Sequence, residues 1–238
     1  MNIIITSSHY RRPQYTAKSV AAIASQPEAS SLYYIASVDK SDRQDAVISA
    51  IEQYRSSFKE MSISVRDGSP SCNDNIKQAL TDALKLNPDF VIMVEDDVVL
   101  GHDALAYFIQ QAEDYKNNQD VLTVSAWRHP DGWLPEHNCD KPDNQENEVK
   151  LTGWFTPWGW GSWTNRIEEI LEKWTGGTDN GQFDNQGRCI GSWDENLNHR
   201  IRGDRMELHP LISRAINIGD EDGTHRGGVP LSYWVGLI

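Results

Sequence analysis

The first 126 residues alternate between short apolar segments and amphipathic ones, and this alternation restricts the possible folds more than any other feature. Short apolar segments rich in β-branched residues predict strands, here at residues 3–6, 32–38, 62–65, 90–94 and 121–125. Apolar residues at helical spacing predict helices near residues 47–58, 76–84, 105–112 and 167–174. Strands that alternate with helices predict an α/β fold, in which a mostly parallel sheet is flanked by helices.

The composition changes after Ser125. Eight of the nine tryptophans lie between Trp127 and Trp193, and four of them fall between Trp154 and Trp163. The acidic stretch 136–150 predicts a mobile loop, and residues 176–191 are rich in Gly, Asp and Asn, which also favours a loop. The second half is therefore predicted to be aromatic and loop-rich.

Three consecutive carboxylates, Glu95, Asp96 and Asp97, directly follow the apolar segment 91–94. The carboxyl ends of the strands in an open α/β sheet border its ligand crevice. Alternation along the strand predicts Glu95 and Asp97 on one face and Asp96 on the other. Adjacent carboxylates repel one another, and a hard cation such as Mn²⁺ or Mg²⁺ relieves this repulsion, with phosphate oxygens completing its shell. The alternative is that the acids only terminate the strand.

Asp194 lies in the segment Ser192–Asn196, at the start of a predicted helix that runs through Arg202. A carboxylate at this position commonly caps the helix or interacts with its dipole. It would also suit a general base, because a neutral alcohol needs a proton acceptor before it attacks. The sequence leaves both interpretations open.

The chain carries 35 acidic and 22 basic residues, and its formal net charge is −13. Such a chain repels phosphate backbones, so we expect no nucleic-acid binding. An anionic ligand would have to meet a bound metal or a local basic cluster. The candidate basic positions are Arg11, Arg12, Arg214 and His225, the last within a glycine-rich segment (219–228) that has the composition of a closing flap.

Trp154, Trp158, Trp160 and Trp163 form the densest aromatic cluster. Aromatic faces pack against sugar rings, but tryptophans also build cores, and we expect at least half of these to be buried. The sequence has no G-x-x-x-x-G-K-[ST], G-x-G-x-x-G or G-x-S-x-G segment, which argues against P-loop kinases, dinucleotide-binding enzymes and α/β-hydrolases.

Several of these features together resemble the GT-A (Rossmann-like) glycosyltransferases, and within them the N-acetylglucosaminyltransferase I family. They are the Arg11-Arg12 turn after the first strand, a second strand ending at Asp39, the triplet Glu95-Asp96-Asp97, and the ordered block Trp193-Asp194, Arg202–Arg205, His209–Arg214 and Gly223–His225. The resemblance implies one GT-A domain over residues 1–238, with a nucleotide-sugar-binding half (1–126) and an acceptor and catalytic half (127–238).

The resemblance also implies a role for each site residue. Asp97 would coordinate the Mn²⁺ that bridges the diphosphate, and Asp194 would be the catalytic base. The implied substrate contacts are Asp39 with the uracil, Arg11 or Arg12 near the nucleotide, Asp96 with the ribose, Glu95 with the donor sugar, Trp193 in the donor-sugar pocket, and His225 in the flap over the phosphates.

This chain departs from the family in three ways. Secretory-pathway members carry an N-terminal membrane anchor, whereas this sequence has no leader and no long apolar segment, which predicts a cytoplasmic enzyme of bacterial or viral origin. A family histidine on the third helix has no counterpart here, and Asn73 or Asn75 would take its place. The chain is also shorter, so the acceptor is not implied.

We therefore predict a metal-dependent, inverting transferase that moves a hexose or N-acetylhexosamine from a UDP-sugar to a hydroxyl acceptor, such as a carbohydrate. One alternative is a sugar nucleotidyltransferase, which would need an early glycine-rich loop, whereas residues 6–12 contain no glycine. The other alternative is a non-catalytic carbohydrate-binding module that uses the tryptophans.

Overall fold

The computed structural model of the protein describes residues 1–128, 148–174 and 192–219. The strands are β1 (Ile3–His9), β2 (Tyr33–Asp39), β3 (Glu60–Arg66), β4 (Phe90–Glu95), β5 (Val98–Leu100), β6 (Val121–Ser125), β7 (Val149–Thr152), β8 (Trp160–Trp163), β9 (Met206–Pro210) and β10 (Ala215–Asn217). The α-helices are α1 (Pro13–Ala24), α2 (Gln44–Glu52), α3 (Cys72–Leu84), α4 (Ala104–Asp114), α5 (Thr164–Glu172) and α6 (Trp193–Asn196). A π-helical turn, Leu197–Ile201, continues α6. Two short 3₁₀ segments lie at Pro27–Ser31 and Arg55–Ser57.

Eight strands form one sheet in the order β3-β2-β1-β4-β8-β6-β9-β7. The first four are parallel to one another, as are β6 and β9, whereas β8 and β7 run antiparallel to their neighbours. A second, two-stranded sheet pairs β5 with β10. The predicted α/β architecture, a mostly parallel sheet with flanking helices, is confirmed.

The apolar core covers both faces of the large sheet. Ile3 and Ile5 of β1 pack in one cluster with residues of α1, α2 and α4, whereas Ile4 packs in the other with residues of α3 and α5. This division follows from the alternation of side chains along a strand. No helix in the described parts of the chain is long and apolar enough to cross a bilayer.

Several sequence predictions need correction. The 12-residue helix α1 was not predicted, because buried Thr16 and Ser19 interrupt its apolar stripe. The pair Ser41 and Gln44 looks like a capping box, but α2 starts at Gln44 without a side-chain cap. The predicted loop up to residue 150 is too long, because β7 begins at Val149. The predicted loop at 176–191 lies outside the described residues.

Two buried polar side chains fix the segment between β7 and β8. The Asn198 side chain accepts a hydrogen bond from the Phe155 N–H at 2.7 Å and donates one to the Phe155 carbonyl at 3.1 Å. The fully buried Glu207 carboxylate accepts hydrogen bonds from Thr156 N at 3.0 Å and from Thr123 Oγ1 at 2.8 Å. These bonds join the segment to β6, β9 and the helical region after α6.

The buried Glu207 should make the protein less stable as pH rises. Burial raises its pKa to about 8 from 4.5, although Thr123 and Thr156 partly oppose the shift. Between these values the unfolded chain releases the proton and the folded chain retains it. Stability therefore falls as pH rises through this window, by at most about 1.4 kcal/mol per pH unit. We expect Glu207→Gln to match the wild type near pH 4.5 and to exceed its unfolding free energy by roughly 1–3 kcal/mol near pH 8.5.

Urea denaturation at both pH values measures this effect. Glu169→Gln is the matched control, because hydrogen bonds from Lys173 and Arg205 lower the pKa of Glu169. Above the pKa of Glu169, Glu169→Gln should be less stable than the wild type, whereas Glu207→Gln should be more stable than the wild type. Parallel pH profiles for wild type and Glu207→Gln would contradict the assignment.

Candidate active site at the carboxyl edge of the sheet

The carboxyl ends of β1, β2 and β4 meet at one edge of the sheet because these strands are parallel neighbours. Ser8, near the end of β1, pairs with Glu95, the last residue of β4. The turn after β1 therefore lies beside the turn after β4. The first carries Arg12 and the second carries Asp96 and Asp97.

The strand ends at Glu95, so the predicted alternation does not extend to the following acids. Asp96 and Asp97 lie in a turn, and both contact the Arg12 guanidinium. One Arg12 nitrogen bonds to Asp96, and the other lies 3.0 Å from Asp97 Oδ2. Tyr10 N also donates to Asp96 Oδ2 at 3.2 Å. Both residues are less than a tenth exposed.

The last residue of β10 and the two residues after it contact Asp97 from its other side. Asn217 Nδ2 donates to Asp97 Oδ1 at 3.2 Å, and Ile218 N donates to the Asp97 carbonyl at 2.7 Å. Gly219 packs directly on this carboxylate: a β-carbon at that position would lie 2.2 Å from Asp97 Oδ2. Since this distance is far below van der Waals contact, only glycine fits here without a shift of its surroundings.

Burial, and after it the neighbouring charges, shift the pKa values of this cluster. Burial raises the pKa of Glu95 well above its ordinary value, and the charges of Asp97, Asp194 and Asp96 raise it further. Burial also raises the pKa of Asp96 to about 7, against the opposing effect of Arg12. Burial lowers the pKa of Arg12, but the two aspartates outweigh it and raise the pKa above its usual value.

Asp194 belongs to the same cluster, since its charge acts on Glu95. It lies in the first turn of α6, where Trp193 N donates a hydrogen bond to Asn73 Oδ1 of α3 at 3.0 Å. The Trp193 ring is buried and stacks between Trp160 and Trp174, at centroid distances of 5.9 and 5.8 Å. These contacts hold the start of α6 at the edge of the sheet.

The donor set fits a hard divalent cation. Among the described residues, no group of three or more His, Cys, Asp or Glu side chains has the arrangement of a metal site. A cation of this kind needs only one or two protein carboxylates when substrate phosphates supply the remaining oxygens. Among the described residues, the ion pairs of this cluster are those of Arg12 with Asp96 and Asp97, whereas the charges of Asp97, Asp194 and Asp96 all act on Glu95. This surplus of carboxylate charge is the condition that a bound cation relieves.

The other predicted residues lie farther from this cluster or outside the described chain. Arg11 is exposed and pairs with Asp42 at 3.1 Å. Arg214 is buried, pairs with Asp103 at 2.9 Å and lies over the Tyr107 ring. These contacts direct Arg214 toward α4. His225 lies outside the described residues.

Asp39 lies at the end of β2 on the predicted edge of the sheet and is almost fully buried. Its two oxygens accept hydrogen bonds from Arg66 Nε at 2.5 Å and from Ser71 N at 2.9 Å. Both partners belong to β3 and the start of α3. The contact of Asp39 with a uracil stays a prediction, as does that of the stacked Trp193 ring with a donor sugar.

Asn217 is not predicted from the sequence as a contact of Asp97, and Gly219 is identified there only as the start of the glycine-rich segment 219–228. Asn217 ends a strand of only three residues and Gly219 follows it, and a single Asn or Gly after a short apolar segment is a common turn signal. Only the pairing of β10 with β5, which starts directly after Asp97, places them at the site.

No protein-family profile matches the chain, and no curated protein matches it. Solved structures do match. The mannosyltransferase PcManGT from Pyrobaculum calidifontis, in complex with GDP-Man and Mn²⁺, is 13% identical, with a TM-score of 0.61 over 93% of this chain and 58% of that one. TarS 1–349 from S. aureus is 12% identical, with a TM-score of 0.55 over 90% of this chain and 60% of that one.

GalNAc-T7 with UDP, GalNAc and Mn²⁺ is 9% identical, with a TM-score of 0.59 over the whole of this chain and 45% of that one. This chain thus spans about half of the length of the structures that it matches. The comparisons do not single out the N-acetylglucosaminyltransferase I family, so that closer resemblance stays a prediction. The strand order, the flanking helices and these matches show that the chain has the GT-A fold of glycosyltransferases.

Proposed function

We propose that this chain is a metal-dependent, inverting glycosyltransferase that moves glucose, N-acetylglucosamine or a similar hexose from a UDP-sugar to a hydroxyl acceptor. One observation carries the proposal: Asp96 and Asp97 pair with Arg12 at the carboxyl edge of a GT-A sheet, beside Glu95, on which the charge of Asp194 also acts. This is the edge where open α/β sheets bind their ligands. The choice of uridine comes from the family resemblance.

Asp194 takes the role of general base in this reaction. Its carboxylate accepts the proton of the acceptor hydroxyl while the hydroxyl oxygen forms a bond to the anomeric carbon of the donor. The bond from that carbon to the diphosphate oxygen breaks on the opposite side, and its electron pair leaves with the nucleoside diphosphate. A single displacement of this kind inverts the anomeric configuration. Asp194 is partly exposed, as a group that meets an incoming acceptor must be.

Asp97 would hold the divalent cation, with Asp96 toward the ribose and Glu95 toward the donor sugar. A bound Mn²⁺ or Mg²⁺ would neutralise the charge that develops on the departing diphosphate. Arg12 adds a guanidinium on the same side of the cluster, 3.0 Å from Asp97. It compensates the two aspartates and offers hydrogen-bond donors to a phosphate.

Calorimetric titration with UDP, with and without Mn²⁺, tests this function. We expect UDP to bind when Mn²⁺ is present and to lose its affinity when EDTA removes the metal. Absence of UDP binding under both conditions would favour the carbohydrate-binding module instead. A panel of UDP-sugars, followed by measurement of released UDP, then identifies the donor. If no UDP is released from any of these UDP-sugars, the transferase proposal is contradicted.

A further inference from the structure

Trp154 differs from the other three tryptophans of the aromatic cluster. Trp160 and Trp163 are core residues, which confirms that half of the cluster is buried, and Trp158 packs against the core. Trp154 belongs to neither of the two core clusters of the described chain, and its side chain is partly exposed. A partly exposed tryptophan offers an aromatic face that a ligand can cover.

The structure holds Trp154 in a fixed position. The next residue, Phe155, is hydrogen-bonded through both backbone groups to the Asn198 side chain, and its buried ring packs edge-on against Trp160 and Trp193 at 5.2 and 5.5 Å. The Trp154 ring itself meets the His199 ring edge-on at a centroid distance of 5.7 Å and an interplanar angle of 78°. A ligand that stacks on Trp154 would therefore not bear the cost of ordering it.

Polar groups lie beside this ring on the helical segment that carries the proposed base. His199 Nε2 lies 3.0 Å from Glu195 Oε2, and both side chains are partly exposed. Glu195 directly follows Asp194 in the first turn of α6. An aromatic surface bordered by a carboxylate and an imidazole combines an apolar face with hydrogen-bonding groups, which is the chemistry that a sugar ring requires.

We propose that Trp154, Glu195 and His199 form an acceptor subsite for a saccharide, which rests on the proposed function of Asp194 as the base. The pyranose ring stacks on Trp154, and its hydroxyls bond to the Glu195 carboxylate and the His199 imidazole. The acceptor hydroxyl then lies toward Asp194, one residue away from Glu195. The proposed acceptor is therefore a carbohydrate rather than an alcohol without a sugar ring.

Saturation-transfer NMR with a mixture of lactose, cellobiose and N,N′-diacetylchitobiose tests this subsite in the presence of UDP and Mn²⁺. We expect wild-type protein to bind at least one of these disaccharides. Trp154→Ala should weaken that binding by about tenfold or more, and Trp154→Phe, which keeps an aromatic face, should retain most of it. Glu195→Gln should weaken it about threefold, because one charged hydrogen-bond acceptor becomes neutral. Both Trp154 variants should bind UDP and Mn²⁺ as the wild type does.

Two results would overturn the subsite: no disaccharide binds to the wild type, or Trp154→Ala binds as tightly as the wild type. Neither result touches the transferase proposal, provided that UDP still binds with Mn²⁺. If UDP does not bind but disaccharide binding depends on Trp154, the saccharide contact stands and its role as an acceptor subsite is refuted. The melting temperature of each variant, measured by circular dichroism, identifies any loss of folding.

Discussion

Replacement of Asp194 by asparagine should slow sugar transfer by about 10²–10⁴-fold and leave the affinity for UDP and Mn²⁺ unchanged. Asparagine has nearly the same shape but cannot accept the proton of the acceptor hydroxyl at neutral pH. Because the residue contributes to the chemical step, kcat should fall and the KM for the donor should stay close to that of the wild type. Steady-state kinetics and a UDP titration on the same preparation separate the two effects.

Asp204→Asn is the matched control for this variant. Asp204 is an exposed carboxylate shortly after the π-helical turn that continues α6, so its removal changes the local charge by the same amount. We expect transfer within about twofold of the wild type for this control, as is usual for exposed positions. Turnover close to the wild type in Asp194→Asn would exclude this residue as the base.

Replacement of Asp97 by asparagine should remove the metal dependence of UDP binding. Loss of a residue that only supports a metal ligand commonly costs 10–100-fold in metal affinity, so loss of the ligand itself should cost about 10²-fold or more. The variant also leaves Arg12 with one negative partner fewer. Electron paramagnetic resonance of Mn²⁺ in the presence of UDP measures the bound fraction directly, and exposed Asp114 provides the control variant Asp114→Asn. Unchanged Mn²⁺ affinity in Asp97→Asn would refute the ligand assignment.

Gly219→Ala disturbs the same carboxylate without changing its charge. The added methyl group would lie 2.2 Å from Asp97 Oδ2, so Asp97 or the chain at Gly219 must shift. We expect this variant to lose Mn²⁺ affinity about tenfold or more, which is the scale for residues that position a ligand. Gly153→Ala is its control, because the nearest atom to the added carbon is an Arg202 nitrogen at 3.9 Å. Equal Mn²⁺ affinities in Gly219→Ala and Gly153→Ala would show that Mn²⁺ binding tolerates displacement of Asp97.

The sequence predicts those features of the site that depend on local residue patterns and on the pairing of parallel strands. Apolar segments followed by charged residues locate the ends of β1 and β4, and neighbouring parallel strands necessarily bring those ends together. For this reason Arg12, Asp96 and Asp97 could be predicted near strand ends from the sequence, whereas their convergence depends on the adjacency of β1 and β4, which the sequence does not show. Their ion pairs follow once the strands are adjacent.

The rest depends on contacts that no local pattern encodes. β8 (Trp160–Trp163) lies in the middle of the large sheet, yet the sequence predicts no strand there, only a tryptophan cluster that builds the core or binds a sugar. Gly161 is required there, because a β-carbon would lie 2.4 Å from the Phe90 ring. Similarly, Arg214 pairs with Asp103, 111 residues earlier in the chain, and no sequence spacing indicates this partner.

The position of β8 also affects the order in which the chain can fold during its synthesis. β8 separates β4 from β6, and β6 bonds only to β8 and β9 within the described sheet. A nascent chain that has emerged only as far as Ser125 would therefore leave one side of β4 uncovered and β6 without neighbours. Such open strand edges attract other chains during translation. The chain as far as Trp163 must leave the ribosome before β8 can pair with β4, so the sheet of the N-terminal half is completed late rather than from the N-terminus onward.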